Sequence, residues 1–207
     1  MRSPCPDWSQ PESAVQLPDV VRGMAAVTRF IYRYAPIRIL NHGDLKEWHH
    51  TIFQHVVPKD YYAGNFRSED SDRHCLAINV AVGSTPGAIF SDVPRLMQEF
   101  SQQMVESTAK TDEFIKAGTT PTDRARAVVE LAAFCVGRFL QIHPFINGNG
   151  RISRLSANYT LHRYGYRFPF KTPLPRPSNP SYTDASKACM TGNFAPMYLY
   201  LVKALTA

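Results

Sequence analysis

The stretch His143-Pro144-Phe145-Ile146-Asn147-Gly148-Asn149-Gly150-Arg151-Ile152-Ser153-Arg154 joins the two most apolar segments of the chain, and its reading governs the rest. Pro144 disfavours helical geometry for the residue before it, so a helix arriving from the N-terminal side ends at His143 and leaves the imidazole at a mouth. Gly148 and Gly150 allow positive φ and close backbone approach, so successive N–H groups can turn toward one point. A helix that starts near Gly150 directs its unpaired N–H groups and the positive end of its dipole at the same point, which is a phosphate-sized anion site. Arg151 and Arg154 share one face at i and i+3 and reach along a polyphosphate chain. Arginine is electrostatically unfavourable at a helix N-terminus unless an anion reverses the local sign. His143, with an ordinary pKa near 6.5, is mostly the free base at neutral pH that a hydroxyl nucleophile needs. Each feature alone has a structural explanation: a helix-end histidine, a turn, a solvated pair of arginines. Their coincidence within twelve residues points to phosphoryl or nucleotidyl transfer to an alcohol.

Working outward, Thr122 or Asp123 caps the preceding helix, which runs to about Ile142 with the apolar content of a buried, central element. The following helix runs from about Gly150 to Tyr164. Earlier in the chain, Val20, Met24, Val27, Ile31 and Tyr34 mark a helical face from Asp19 that Pro36 ends. Asp44 with Glu47 reads as a capping box for a second helix, with Leu45, Trp48, Ile52, Phe53 and Val56 inward. Leu76, Ile78, Val80 and Val82 alternate with small or polar residues, and Gly83 to Gly87 supplies a turn before Ala88-Ile89-Phe90, so a β-hairpin is expected over Leu76 to Phe90. Asp92 and Pro94 open another helix with Val93, Met97, Phe100 and Met104 as its stripe. After a proline-rich stretch at 169–180, two further helical patterns centre on Ala185 and Leu199. The expected architecture is mainly α: residues 1–18 as an irregular lead-in and residues 19–207 as a single domain with a small hairpin.

The 207 residues are 44% hydrophobic and 19% charged, which fits a domain with a substantial core and excludes a disordered or fibrous chain. Lys and Arg number 23 against 17 Asp and Glu, a formal +6. From Leu131 to Thr183 there is no acid, while Arg138, Arg151, Arg154, Arg163, Arg167, Lys171 and Arg176 lie there, so the remainder of the chain is slightly acidic. A nucleic-acid footprint would spread such cations along a face with interleaved aromatics, whereas these crowd around one glycine turn; no nucleic-acid partner is expected. Arg163, Arg167, Lys171 and Arg176 offer a secondary surface for an acidic target. No apolar run approaches a membrane span and the first residues lack the apolar core of a signal peptide, so a cytoplasmic protein without membrane contact is expected. Cys5, Cys75, Cys135 and Cys189 are widely spaced and are expected as reduced thiols. The seven histidines show no metal-ligand spacing.

The motif resembles the Fic domain signature, His-Pro-Phe-x-Asp/Glu-Gly-Asn-Gly-Arg-x-x-Arg, at every defined position except Asn147. The resemblance extends to Asn158, Leu161, Gly165 and Tyr166 after Arg154, to Gly64-Asn65-Phe66-Arg67 before the hairpin, and to the tail from Tyr182 through Gly192-Asn193 to Leu201; it covers about Asp44 to Leu205. It implies a mostly helical fold that transfers AMP from ATP to a Ser, Thr or Tyr hydroxyl of a target protein. By the same resemblance, His143 takes the hydroxyl proton. Gly148, Asn149 and Gly150 form the anion hole, and Arg151 and Arg154 hold the phosphates beyond the α position. The hairpin becomes a flap that docks the target by strand pairing. Asn158 and Tyr182 border the nucleotide, and Phe145 is a core anchor.

The family places a carboxylate at position 147 to hold Mg²⁺ against the phosphates. Asn147 offers a neutral oxygen, so metal binding is expected to weaken. Three outcomes remain: the ATP phosphates keep the ion and transfer survives, the donor or transferred group differs, or the protein binds nucleotide and transfers poorly. Outside catalysis, the alternative is a basic helical binding module. Many family members also carry an inhibitory helix with Ser/Thr-x-x-x-Glu-Gly/Asn. None of the seven glutamates here precedes Gly or Asn, so a separate inhibitory protein that sets a carboxylate against Arg154, or no such control, is expected.

Overall fold

The computed structural model describes residues 4–8, 13, 15–167 and 180–206. Seven helices are described: α1 (Leu17–Tyr34), α2 (His42–Phe53), α3 (Val93–Lys116), α4 (Pro121–Ile142), α5 (Asn149–Arg163), α6 (Pro180–Met190) and α7 (Ala195–Thr206). A two-stranded antiparallel hairpin, β1 (Ala81–Val82) and β2 (Thr85–Pro86), lies between α2 and α3. The mainly helical architecture with a small hairpin is the one expected.

Helix α4 is the axis of the molecule because it is apolar on nearly every side. Its Leu131, Cys135, Phe139 and Ile142 enter one core with α1, α2, α3 and α5. Its Val128, Val129, Ala132, Ala133, Val136 and Leu140 enter a second core with α5, α6 and α7. A helix with one apolar stripe is buried on one side; this one serves two cores. At Gly137 a Cβ would come within 2.3–2.9 Å of the Phe194 ring, and at Gly23 it would meet the α2 backbone at Thr51 and Ile52, 2.6 Å away. Both glycines set how closely the helices approach.

Several element ends differ from the sequence reading. The capping box of α2 is Asn41 with Asp44, because Asn41 accepts from the Gly43 and Asp44 amides while Asp44 accepts from the Asn41 amide. The Asp44–Glu47 pairing placed that start three residues late. Helix α4 is capped by Thr120, whose hydroxyl accepts the Asp123 amide at 3.1 Å, and Pro121 follows in the first turn. The hairpin is much shorter than Leu76–Phe90. Leu76 is 1% exposed in a 3-10 turn, His74–Leu76, and only Ala81–Val82 and Thr85–Pro86 pair around Gly83-Ser84, with Gly83 at φ 61. The alternating residues before it carried a strand pattern, but the Ile78 carbonyl is taken by a side chain described below and the Leu76 carbonyl by the Ser68 and Ile78 amides.

The cysteine expectation is corrected: Cys5 and Cys75 form a disulfide across 70 residues, while Cys135 and Cys189 are free and buried. A single long-range bridge leaves no spacing signal, and the proline-rich start gave no sign that it folds back. It does so tightly. Trp8 is 7% exposed and packs edge-on to Phe53 and His49 with centroids at 5.4 and 5.8 Å. The Tyr62 hydroxyl donates to the Pro6 carbonyl at 3.1 Å. Among the described residues no helix is long and apolar enough to cross a membrane. Lys171 and Arg176 lie outside the described residues, and Arg163 pairs with Asp112 at 3.0 Å, so it is not an open cation for an acidic target.

Arg67 ties the hairpin to the bundle. Fully buried, it donates to the His143 carbonyl from Nε (3.0 Å) and Nη2 (2.8 Å), to Ile142 O (3.1 Å), to Ala88 O (2.9 Å) and, from Nη1, to Ile78 O (3.0 Å). Arg67→Met keeps the volume and strands the Ile78, Ala88 and His143 carbonyls, while Ile142 O keeps the Ala88 N–H. It is expected to lower unfolding stability by about 3–5 kcal/mol. Urea denaturation checks this, and a loss under about 1 kcal/mol would show that the carbonyls find other donors.

Candidate active site

The last residue of the α4 cap, His143, has φ 53 and ψ 59, the only non-glycine residue with positive φ among those described. Such a conformation costs about 1–2 kcal/mol for an L residue. It is over-determined here: Pro144 excludes the helical alternative, and Arg67 holds the carbonyl that the turn displaces. The turn directs the imidazole into a cavity of about 620 Å³. Gly87 of the hairpin lies behind it, where a Cβ would sit 2.8 Å from that of His143.

The loop after His143 is closed by its own amides. Asn149 accepts from the Phe145 N–H at 2.9 Å and returns a bond to the Phe145 carbonyl at 2.8 Å, so its side chain is structural. Phe145 is fully buried against His49, Phe66 and Phe139. Gly148, at φ 78, turns the chain into α5. Asn149 and Gly150 then present backbone N–H groups that have no acceptor among the described residues. The Gly148 amide does not join them, because it donates to Asn147 Oδ1 at 2.7 Å. At this turn two open N–H groups, not the three expected, are free to meet an anion.

A second histidine sets this loop in place. His49 is fully buried on α2 and stacks on Phe145 at 3.7 Å. Its Nδ1 accepts the Gly64 N–H at 2.9 Å, which leaves the proton on Nε2 for donation to the Asn147 carbonyl at 3.1 Å. Nothing in the sequence around His49-His50 pointed to this role, since both partners are distant in the chain.

The remaining walls come from Val80–Gly83 of the hairpin and from α6, through Tyr182, Thr183, Ser186, Lys187 and Met190. Arg151 and Arg154 both line the cavity, and Arg151 lies over the Phe53 ring at 5.6 Å. Arg154 is 6% exposed, and among the described residues no carboxylate or carbonyl pairs with it. The structure thus brings together His143, Asn147, Gly148, Asn149, Gly150, Arg151, Arg154 and Tyr182. It leaves out Asn158, which is 4% exposed within α5 and does not line the cavity. Two helical turns separate it from the α5 N-terminus, and the turn of the helix carries it into the packed interior. Lys187, Thr183 and Ser186 were missed; one helical pattern centred on Ala185 gave no reason to single them out.

No carboxylate lines the cavity among the described residues. At position 147 the amide is already engaged, its Oδ1 by the Gly148 N–H and its Nδ2 by the Trp8 carbonyl at 2.7 Å. Mg²⁺ is normally bound through one or two carboxylates plus substrate oxygens, so these residues do not fit a protein-held divalent ion.

The Fic/DOC family model matches residues 39–161, more than half of the chain and all of the motif. The chain belongs to the Fic/DOC family. Within it, a 39-residue stretch is 51% identical to a Fido domain-containing protein of Dictyostelium discoideum, over 19% of this chain and 27% of that protein. The protein adenylyltransferase Fic of Drosophila persimilis is 27% identical over 158 residues, 76% of this chain and 26% of its own length. The chain therefore spans about a quarter of the length of these curated relatives. Among solved structures, a Fic domain containing signaling protein from Bacteroides thetaiotaomicron aligns with TM-score 0.66 at 22% identity over 95% of this chain and 73% of that one. The Bartonella tribocorum effector BepC with bound AMPPNP aligns with TM-score 0.63 at 17% identity over 92% and 84%. These likenesses show the Fic fold.

Two neutral imidazoles sit in this Fic site. Burial first, and then the Arg67 charge, hold the pKa of His143 down at about 4, with the Leu140 backbone acting the other way. Burial holds His49 at about 3 against its bond to Asn147. Both would titrate near 6.5 in the unfolded chain, so below that pH the unfolded state binds protons that the folded state refuses. Stability is expected to fall as pH drops from 6.5 toward 4. A urea midpoint that is the same at pH 7.5 and pH 5 would show that the two rings are not held neutral.

Proposed function

We propose that this Fic/DOC protein transfers AMP from ATP to a Ser, Thr or Tyr hydroxyl of a target protein. The observation that carries this reading is Arg154: a buried guanidinium, unpaired among the described residues, that faces a cavity shared with two open helix N-terminal amides and a neutral imidazole. A buried charge without a partner is costly, so the site is built for an anion. A polyphosphate fits the length from the α5 N-terminus along Arg151 and Arg154. Similarity to protein adenylyltransferases of the family supports AMP as the transferred group.

In this mechanism the target hydroxyl lies beside His143, which accepts its proton as the oxygen attacks the α-phosphorus. The bond to the bridging oxygen breaks and pyrophosphate leaves. The N–H groups of Asn149 and Gly150 take the charge that develops on the α-phosphate oxygens, and Arg151 and Arg154 take that of the leaving group. The target segment pairs with the hairpin, where Ile78 and Val82 are 43% and 37% exposed and Ala81–Val82 forms the accessible strand. With no carboxylate in the cavity among the described residues, Arg154 also offers the contact that a separate inhibitory protein would make with a carboxylate.

Intact mass spectrometry after incubation with ATP is expected to show an AMP adduct on the protein itself or on added target. His143→Ala is expected to lower the transfer rate by about 10²–10⁴ while ADP binding persists. Arg154→Ala is expected to weaken ADP binding. Full transfer by His143→Ala would remove the proposed base, and nucleotide binding without any adduct under all conditions would favour a binding-only protein.

A further inference from the structure

Asn147 stands where the family signature has an acid, and its side chain is committed elsewhere. Its Nδ2 donates to the Trp8 carbonyl at 2.7 Å, and its Oδ1 accepts from Gly148. Trp8 belongs to Pro4–Trp8, a segment held at one end by the Cys5–Cys75 disulfide, in its middle by the Tyr62 hydroxyl on Pro6, and at the other end by ring contacts with His49, Phe53 and Tyr62. Cys75 lies in the 3-10 turn that leads into the flap, whose Leu76 carbonyl accepts from Ser68 at 3.1 Å. His49, which Trp8 touches, is the residue that holds the Asn147 carbonyl. The segment therefore bridges the flap base and the anion-binding loop from behind, and it does not line the cavity.

The chemistry at Trp8 requires a donor. A carbonyl only accepts, so a carboxylate at 147 would set two acceptors against each other at hydrogen-bond distance in a partly buried position. A docked segment and an acid at 147 are thus mutually exclusive. We propose that Pro4–Trp8 is a positioning strap for the nucleotide site, and that residue 147 serves as its docking point in place of a metal ligand. With the strap docked, Asn147 holds Gly148 in its turn, and the Asn149 and Gly150 amides face the cavity. Nucleotide phosphate is then held by these amides and by Arg151 and Arg154, with no divalent ion contributed by the protein. Only this last step rests on the nucleotide reading of the cavity.

The strap is tested through its disulfide, without reference to activity. Dithiothreitol gives two electrons and two protons to Cys5–Cys75 and leaves as its own cyclic disulfide; the reduced fraction is read by alkylation and mass. EDTA is included, because Cys5, His74 and Cys75 bring three donor atoms within 4.8 Å of one another. Asn147→Asp is expected to shift the equilibrium toward the reduced form by on the order of tenfold, as the docked end that keeps the cysteines together is lost. Tyr62→Phe, which removes only the bond to Pro6, is expected to shift it in the same direction by about threefold and provides the test if the first variant folds poorly. Asp112→Asn, which disrupts the Arg163 and Tyr164 contacts far from the strap, is expected to leave it unchanged. An unchanged equilibrium in both Asn147→Asp and Tyr62→Phe overturns the strap.

For positioning, ADP affinity is measured by calorimetry on oxidised and reduced wild-type protein, each in Mg²⁺ and in EDTA. The expected result is a several-fold weaker affinity after reduction and, for the oxidised protein, the same affinity within about twofold with or without Mg²⁺. ADP affinity insensitive to reduction, or lost in EDTA, overturns the positioning role. If ADP does not bind the oxidised protein at all, the nucleotide reading fails, while the disulfide equilibria still decide whether residue 147 docks the strap.

Discussion

Five hydrogen bonds from one guanidinium, that of Arg67, join the end of α4, the base of the flap and the turn at His143. No carboxylate is involved. The charge is met by carbonyl dipoles, two of them at the C-terminal end of α4 and its cap, Ile142 and His143, where the helix dipole is negative. Burial lowers the Arg67 pKa to about 10, far enough above neutrality that the group stays charged and all five donors persist. Without this clamp only Pro144 would oppose helical geometry at His143, and the flap, with two paired residues per strand, would be tied to the end of α4 by the Ala88 N–H on the Ile142 carbonyl alone.

The same charge tunes the site. Arg67 lies behind His143 and adds to burial, the larger cause, in opposing its protonation. Arg151 and Arg154 lie in front, where an anion is expected. A bound polyphosphate would cancel part of the positive field and raise the basicity of the imidazole at the moment it is needed.

Much of this was legible from the sequence where the cause is local. Pro144 after His143, glycines at 148 and 150 and arginines three residues apart each act on their neighbours, and the structure brings those residues to one cavity. Helical stripes such as Val93, Met97, Phe100 and Met104 are buried as read, because the period of a helix is written in adjacent residues. What the sequence hid is non-local. The Cys5–Cys75 bridge, the His49 bond to Asn147 and the Trp8 carbonyl opposite the Asn147 amide join residues 70, 98 and 139 positions apart. The hairpin was over-read for the same reason: alternation from Leu76 to Val82 has the strand period, but Arg67 captures the Ile78 carbonyl that a longer ladder would have used. Asn158, expected beside the nucleotide by resemblance, is buried in α5 and does not line the cavity, because position in the chain does not set the direction of a side chain.

The acid-free stretch from Leu131 to Thr183 takes on a different meaning once partners are known. Arg138 bonds to Gln141 at 2.7 Å and approaches Glu99 at 3.9 Å, and Arg163 is held by Asp112, so acids from α3 serve the cations that face outward. Two cations of that stretch, Arg138 and Arg163, are therefore met by acids from outside it. Within the cavity Arg154 has no acid among the described residues, and Asn147, the one position where the family signature would supply a carboxylate, carries an amide bound to Trp8. An acid at 147 would compete with phosphate for the arginines as well as repel the Trp8 carbonyl. Its absence leaves the buried Arg154 guanidinium without a competing carboxylate at 147, so the amide there keeps the local charge of the cavity positive.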